Sequence, residues 1–212
     1  MTGTLNITTN TFVHVARPAR GVDTTLLLLH GTGGDERDLL PLGEQLLPGA
    51  ALLSPRGQVS ERGMPRFFRR HAEGVLDLED LAVRTTELAT WLPLALDTHA
   101  LPTRRVIAAG FSNGANIAAS QLLRGLPGLH GAVLLSPMLP FEPEVLPALQ
   151  GVRVFIGAGR HDPLVPVAQV ERLAALLQQA GAEVTPHWTP GGHGITPEEF
   201  QAARDWVSTW TD

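Results

Sequence analysis

The run RVIAAGFSNGANIAASQLL, Arg105 to Leu123, is where the fold of this chain is legible. It begins as a β-rich stretch, RVIAAG, and ends as ANIAASQLL, whose apolar residues recur at helical spacing. Between them stands Gly110-Phe111-Ser112-Asn113-Gly114, a G-x-S-x-G in the strand-to-helix context that the motif requires. A serine on so sharp a turn has strained backbone angles, so side chains on either side must vanish. Gly110 and Gly114 let strand and helix approach, and the hydroxyl is held out at the sheet edge. The N–H of Asn113 then sits at a helix start, where unsatisfied donors and the helix dipole favour a developing oxyanion. A chance Gly-Ser turn is the plain alternative, and the flanking strand and helix argue against it.

A hydroxyl needs a base, and in this architecture an acid and then a histidine follow the serine, each from a loop at a strand's carboxyl end. The carboxylates between Ser112 and the last histidine are Glu142, Glu144, Asp162, Glu171 and Glu183. Only Asp162 directly follows a strand, in VRVFIGAGRHD, where its role is to accept the Nδ1–H of the histidine and stabilise the imidazolium. A turn or cap before Pro163 is the alternative reading. Of His130, His161, His187 and His193, only His193 lies in a glycine-rich loop, TPGGHGIT, just past the final strand. His187 falls within the strand pattern and His161 abuts the proposed acid as a loop residue. The further ligands that a His161-Asp162 metal site would need have no clear places.

A second glycine-rich turn, His30-Gly31-Thr32-Gly33-Gly34-Asp35-Glu36, begins where the TTLLLLH strand ends. It offers the N–H of Thr32 as one oxyanion donor beside the N–H of Asn113. A phosphate loop is disfavoured because no Gly-Lys-Ser/Thr follows and Asp35 and Glu36 would repel phosphate.

Outward from these motifs, short apolar runs alternate with helix-period segments. This is the pattern of a mostly parallel sheet covered by helices on both faces, an α/β fold. About six sheet strands are expected, from Thr24 to His30, Ala50 to Ser54, Arg105 to Phe111, Gly131 to Ser136, Arg153 to Gly157 and Val184 to Trp188, with Thr11 to Val15 as a candidate edge strand. Helices are expected over Asp38 to Leu47, Leu76 to Leu96, Asn113 to Arg124, Pro166 to Ala180 and Pro197 to Trp210. Pro166 and Pro197 suit first turns, and Pro93 should kink or end its helix. Pro55 to Gly74 and Pro137 to Gly151 fit neither pattern and are candidates for a binding rim.

The chain has 212 residues, 43% of them hydrophobic, which predicts one domain spanning residues 1–212 with no large cap. A formal net charge of −5 disfavours binding to nucleic acid or an anionic bilayer. Arg66-Phe67-Phe68-Arg69-Arg70 is a lone basic-aromatic cluster, better read as a loop or as a pocket wall facing an anionic group. Zero cysteines exclude disulfides, thiolate zinc sites and a Cys nucleophile. The first residues, Met1 to Leu5, show no signal-peptide pattern and no run approaches the ~18 apolar residues of a membrane span, so a cytoplasmic protein is expected.

HGTGGDE, SPRG, GMPRFFRR, GFSNGANIAAS, GRHDPLVP and GGHG, in that order, resemble the small cap-less α/β-hydrolases of the phospholipase/carboxylesterase group, which includes acyl-protein thioesterase-like and dienelactone hydrolase-like enzymes. The likeness covers nearly the whole length and is strongest to bacterial carboxylesterases akin to the hydrolase of the methylhydroquinone-resistance operon. It implies a serine esterase acting on short-chain or aryl esters, with Ser112, Asp162 and His193 as triad, Thr32 and Asn113 as oxyanion donors, and no cofactor or metal. Dienelactone hydrolases use a Cys nucleophile, which this chain lacks. A thioesterase or lysophospholipase on the same scaffold, or a ligand-binding protein without turnover, are the alternatives. Met64, Phe67, Phe68 and Met138 are the expected substrate-binding side chains in an open cleft. The small-molecule ester is the expected partner, with a homodimer the alternative use of the apolar loops.

Overall fold

The computed structural model describes residues 12–210. A short strand β1 (His14–Arg17) leads into β2 (Thr25–Leu29), helix α1 (Leu40–Leu46) and β3 (Ala51–Pro55). Two small hairpins follow, β4 (Val59–Glu61) with β5 (Met64–Arg66), and β6 (Arg70–Ala72) with β7 (Val75–Leu76). The long helix α2 (Leu78–Thr98) then precedes β8 (Val106–Phe111), α3 (Asn113–Leu123) and β9 (Gly131–Leu135). The chain closes with β10 (Arg153–Gly159), α4 (Val167–Gln179), β11 (Glu183–Thr189) and α5 (Pro197–Ser208).

Seven strands form the main sheet in the order β1-β3-β2-β8-β9-β10-β11. All neighbours run parallel except β1, which is antiparallel to β3. Parallel strands need crossovers, and the helices that supply them bury both sheet faces. In β2, Leu27 and Leu29 enter the core shared with α2, α3 and α4, while Leu26 and Leu28 enter the core shared with α1 and α5. That two-sided burial is why TTLLLLH shows no alternation with polar residues.

Three expectations are corrected. The edge strand runs from His14 to Arg17 instead of Thr11 to Val15, and Thr11 lies outside the described residues; the pairing His14 with Pro55 through Arg17 with Leu52 sets the register, and Pro18 halts it by lacking an N–H. Pro93 does not end α2, since the helix continues to Thr98. Pro93 lies on the exposed side while Trp91, Leu92, Ala95 and Leu96 bracket it in the core, so the burial of its neighbours offsets the lost hydrogen bond. Pro166 is the N-cap of α4, in an extended conformation, instead of a first-turn residue. Pro197 does open α5, behind a capping box of Thr196 and Glu199.

Of the two irregular stretches, residues 55–74 carry the β4–β5 hairpin and the first strand of the next, and residues 137–151 hold no helix or strand. No separate cap stands over the strand ends among the described residues. No helix there is long and apolar enough to cross a membrane.

Candidate active site

The sharp turn between β8 and α3 is built by two glycines with no room for a Cβ. One added at Gly114 would lie 1.9 Å from the carbonyl oxygen of Leu29, and one at Gly110 would lie 2.6 Å from that of Gly114. Between them Ser112 has φ 50 and ψ −112, a conformation that L side chains rarely adopt. It is held there by its N–H donating to Leu135 O at 2.9 Å and its carbonyl accepting from Asn116 N–H at 2.9 Å. The adjacent strand end repeats the strain, for Ser136 also has φ 50 and its N–H donates to Gly157 O at 2.8 Å.

The loops after β10 and β11 are tied to each other. Arg160 N–H donates to Thr189 O, His161 N–H to Gly191 O and His161 Nδ1 to Pro190 O, at 2.8, 3.0 and 2.8 Å. Gly159 permits this contact, since a Cβ there would meet the carbonyl oxygens of Gly191 and Gly192 at 2.3 and 2.4 Å. His193 is thereby delivered over Asp162. Its Nδ1 lies 2.7 Å from Asp162 Oδ2 and its Nε2 2.8 Å from Ser112 Oγ. Asp162 Oδ1 accepts from the N–H groups of Leu164 and Val165 at 2.7 and 3.1 Å. The Asp162 side chain is 2% exposed and that of His193 18%, so the carboxylate is sealed and the imidazole reaches solvent. Phe111 packs on the imidazole, centroid to centroid at 5.6 Å.

The glycine-rich turn after β2 brings Thr32 to the same cleft as Ser112. Neither the N–H of Thr32 nor that of Asn113 has a backbone acceptor among the described residues. Asn113 Oδ1 accepts from Phe67 N–H at 2.7 Å, and Thr32 Oγ1 accepts from Arg66 Nη1 at 2.6 Å. The base of the turn is braced by His30, whose Nδ1–H donates to Gly31 O and whose Nε2 accepts from Gly57 N–H at 2.9 Å. That acceptor role needs the neutral ring, and burial lowers the pKa of His30 below its ordinary 6.5.

Ser112 and His193 open into a cleft of about 30 Å³ whose wall includes Thr32, Arg66, Asn113, Asn116, Ser136 and Met138. Two of these carry buried polar atoms with no protein partner among the described residues, Asn113 Nδ2 and Ser136 Oγ. Met138 lines the cleft, whereas Phe67 and Phe68 do not. They are 1% and 0% exposed and pack in the core over α2 and α3, so they support the site from below instead of touching its contents. Met64 is 40% exposed, and its side chain flanks Gly33 on the rim outside the cleft. The aromatics turn inward because the end of the β4–β5 hairpin is tied to two strand-end loops, through Pro65 O to Gly33 N–H and through Phe67 N–H to Asn113 Oδ1, and the adjacent cations are neutralised locally. Arg66 pairs with Glu61 at 3.4 Å and Arg70 with Glu61 at 3.1 Å; Arg70 holds the Glu61 carboxyl below its usual range.

Sequence reasoning missed Asn116 and Ser136. Asn116 was within reach, because it stands four residues after Ser112 on α3 and so shares its face. Ser136 carries no local signal at all.

The sequence profile of the Phospholipase/Carboxylesterase family matches residues 82–211. MhqD of Bacillus subtilis (strain 168) is 50% identical over 184 residues, covering 87% of this chain and 92% of that protein. The crystal structure of the Bacillus cereus carboxylesterase superposes with a TM-score of 0.91 at 46% identity, covering 94% of this chain and 95% of that one. A more distant relative, acyl-protein thioesterase 1 of Cryptococcus neoformans var. neoformans serotype D (strain JEC21), is 24% identical over 90% of this chain and 93% of its own. With that coverage, and with a parallel sheet whose strand ends carry the serine elbow, this chain belongs to the phospholipase/carboxylesterase family of α/β-hydrolases and is a hydrolase.

Proposed function

We propose that the protein is a serine carboxylesterase acting on short-chain or aryl esters. The observation that carries the reading is the unbroken relay from Ser112 Oγ through His193 to Asp162, at 2.8 and 2.7 Å. His193 Nε2 takes the Ser112 proton as Oγ bonds to the ester carbonyl carbon, and the carbonyl oxygen becomes an oxyanion held by the N–H groups of Thr32 and Asn113. Collapse breaks the bond to the alcohol oxygen, which leaves with the proton from Nε2. Water then gives a proton to Nε2 and adds to the acyl-serine carbonyl, and the second collapse releases the acid and returns the proton to Ser112. Asp162 fixes the Nδ1–H tautomer and stabilises the imidazolium.

Mass spectrometry after fluorophosphonate treatment tests the assignment. One phosphonyl adduct on Ser112 is expected, together with loss of aryl-ester hydrolysis in Ser112→Ala at unchanged circular dichroism. Undiminished turnover in that variant would refute it. Thioester hydrolysis is the second reading, favoured by the likeness to a protein named acyl-protein thioesterase 1. Parallel rates on thioester, lysolipid and aryl ester substrates of equal acyl length separate the two.

A further inference from the structure

Three consecutive residues hold the proposed oxyanion hole, Pro65 and Arg66 on the Thr32 side and Phe67 on the Asn113 side. Pro65 O accepts from Gly33 N–H at 2.9 Å, Arg66 Nη1 donates to Thr32 Oγ1 at 2.6 Å, and Phe67 N–H donates to Asn113 Oδ1 at 2.7 Å. In extended backbone the carbonyl of one residue and the N–H two residues on face the same edge. Pro65 and Phe67 therefore reach from one edge to two loops that are 80 residues apart in the chain, while the Arg66 side chain adds a third tie. We propose that this segment sets the separation of the two oxyanion donors, and that Arg66 is a positioning residue acting through Thr32; the proposal rests on the esterase reading above.

Arg66 is built for a fixed geometry. It is 3% exposed, and its guanidinium is spread over three acceptors: Nε donates to Phe68 O at 3.1 Å, and Nη1 meets Thr32 Oγ1 and lies 3.4 Å from Glu61. A planar fork with several donors fixes a loop in a way that a flexible ammonium cannot. Its backbone is wedged as well, because a Cβ at Gly57 would meet the Arg66 carbonyl carbon at 2.3 Å. Gly57 N–H is in turn held by His30 Nε2, and the His30 ring lies on Phe67 at 4.7 Å. The circuit His30, Gly57, Arg66, Thr32 thus closes on the turn that carries the donor. Burying a guanidinium is costly in free energy, and a contact that holds a donor in place before charge develops gives that cost a function.

The test uses Thr32→Val, which deletes the acceptor of the Arg66 bond while preserving shape, together with Arg66→Met, Arg66→Lys and the Thr32→Val/Arg66→Met pair. Turnover is counted per Ser112 titrated with fluorophosphonate, so that misfolded protein is excluded. Affinity for an aryl trifluoromethyl ketone, whose hemiketal oxygen occupies the oxyanion position, is measured beside it. Thr32→Val and Arg66→Met are each expected to lower kcat per titrated site about tenfold or more, with KM little changed. Ketone affinity should fall by the same factor, the double variant should be no worse than the poorer single one, and Arg66→Lys should recover part of the loss. If Arg66→Met fails to fold, Thr32→Val alone decides. Unchanged kcat and ketone affinity in Thr32→Val, or losses that multiply in the pair, would overturn the proposal. A wild-type chain that forms no adduct at Ser112 would overturn the esterase reading itself, and the proposal with it.

Discussion

Asp162 divides its carboxylate between two tasks: Oδ2 faces His193 Nδ1 at 2.7 Å, while Oδ1 is occupied by the N–H groups of Leu164 and Val165. The carboxylate is therefore oriented by its own loop as well as by its contact with the histidine. In Asp162→Asn the amide oxygen must keep those two N–H groups, which turns the NH₂ toward His193. Nδ1 then becomes an acceptor and the ring proton moves to Nε2, which faces Ser112 and can no longer take its proton. A loss of about 10⁴ in kcat is expected with the fold retained, measured by aryl-ester turnover beside thermal denaturation. A loss under tenfold would show that His193 does not depend on this carboxylate.

The elbow tolerates no side chain at Gly114, because the atoms in the way are the backbone oxygens of Leu29 and His30 at 1.9 and 2.7 Å. Neither can rotate aside, and moving them would pull β2 from β8. Gly114→Ala should lose about 3 kcal/mol or more of stability, read from urea midpoints. Gly63→Ala is the control: nothing lies within 4 Å of the added Cβ and only the φ of +84 opposes it, so about 1 kcal/mol is expected. Similar losses at both positions would contradict the steric account.

Glu199 forms the capping box of α5, yet its Oε1 is buried without a partner among the described residues, and burial pushes its carboxyl up to about 7. A Cβ at Gly157 would strike that oxygen at 2.1 Å, so the carboxyl is seated hard against β10. Because the folded-state value lies above the ordinary 4.5, the folded chain binds this proton more tightly than the unfolded one. Its stabilising contribution is complete below pH 4.5 and is lost as pH rises through about 7. Glu199→Gln keeps an oxygen for Thr196 N–H and removes the ionisation. The variant should gain stability relative to the parent at pH 8 and show no such gain at pH 5. Equal denaturation midpoints for the two chains at pH 8 would count against the buried-acid account.

The polar floor behind Ser112 gives a further expectation. Ser136 combines φ 50 with a buried, unpartnered hydroxyl, two features that each cost stability. Ser136→Gly relieves both and should stabilise the fold by about 1 kcal/mol, with the urea midpoint as the readout. A destabilised variant would mean that the hydroxyl has a role in holding the strand end.

The elements that surround the site differ in how far they could be read. The β8 to α3 turn was legible because its requirements are local: a β run, two glycines at a fixed spacing and a helical run are all neighbours in the chain. The same holds for Asp162 and His193 as candidates, since each stands just past a strand in its own segment. Phe67 and Phe68 were misplaced for the converse reason. Set between arginines in a loop they look like surface, and only the docking of this segment on two distant strand-end loops, at Gly33 and Asn113, with Glu61 neutralising Arg66 and Arg70, turns them into the core.

By itself, then, the order of residues determined the layered α/β architecture, the strained serine and the identity of the residues at each strand's end, because periodicity and turn chemistry act over a few residues. The tertiary structure alone decided that Ser112, Asp162 and His193 share one hydrogen-bonded line, that Ser136 lies beside them, and that Arg66 reaches Thr32. Those distances depend on which strand ends lie side by side in the sheet and on how two distant loops pack. Both are set by the burial of the whole core, which no short window of sequence contains.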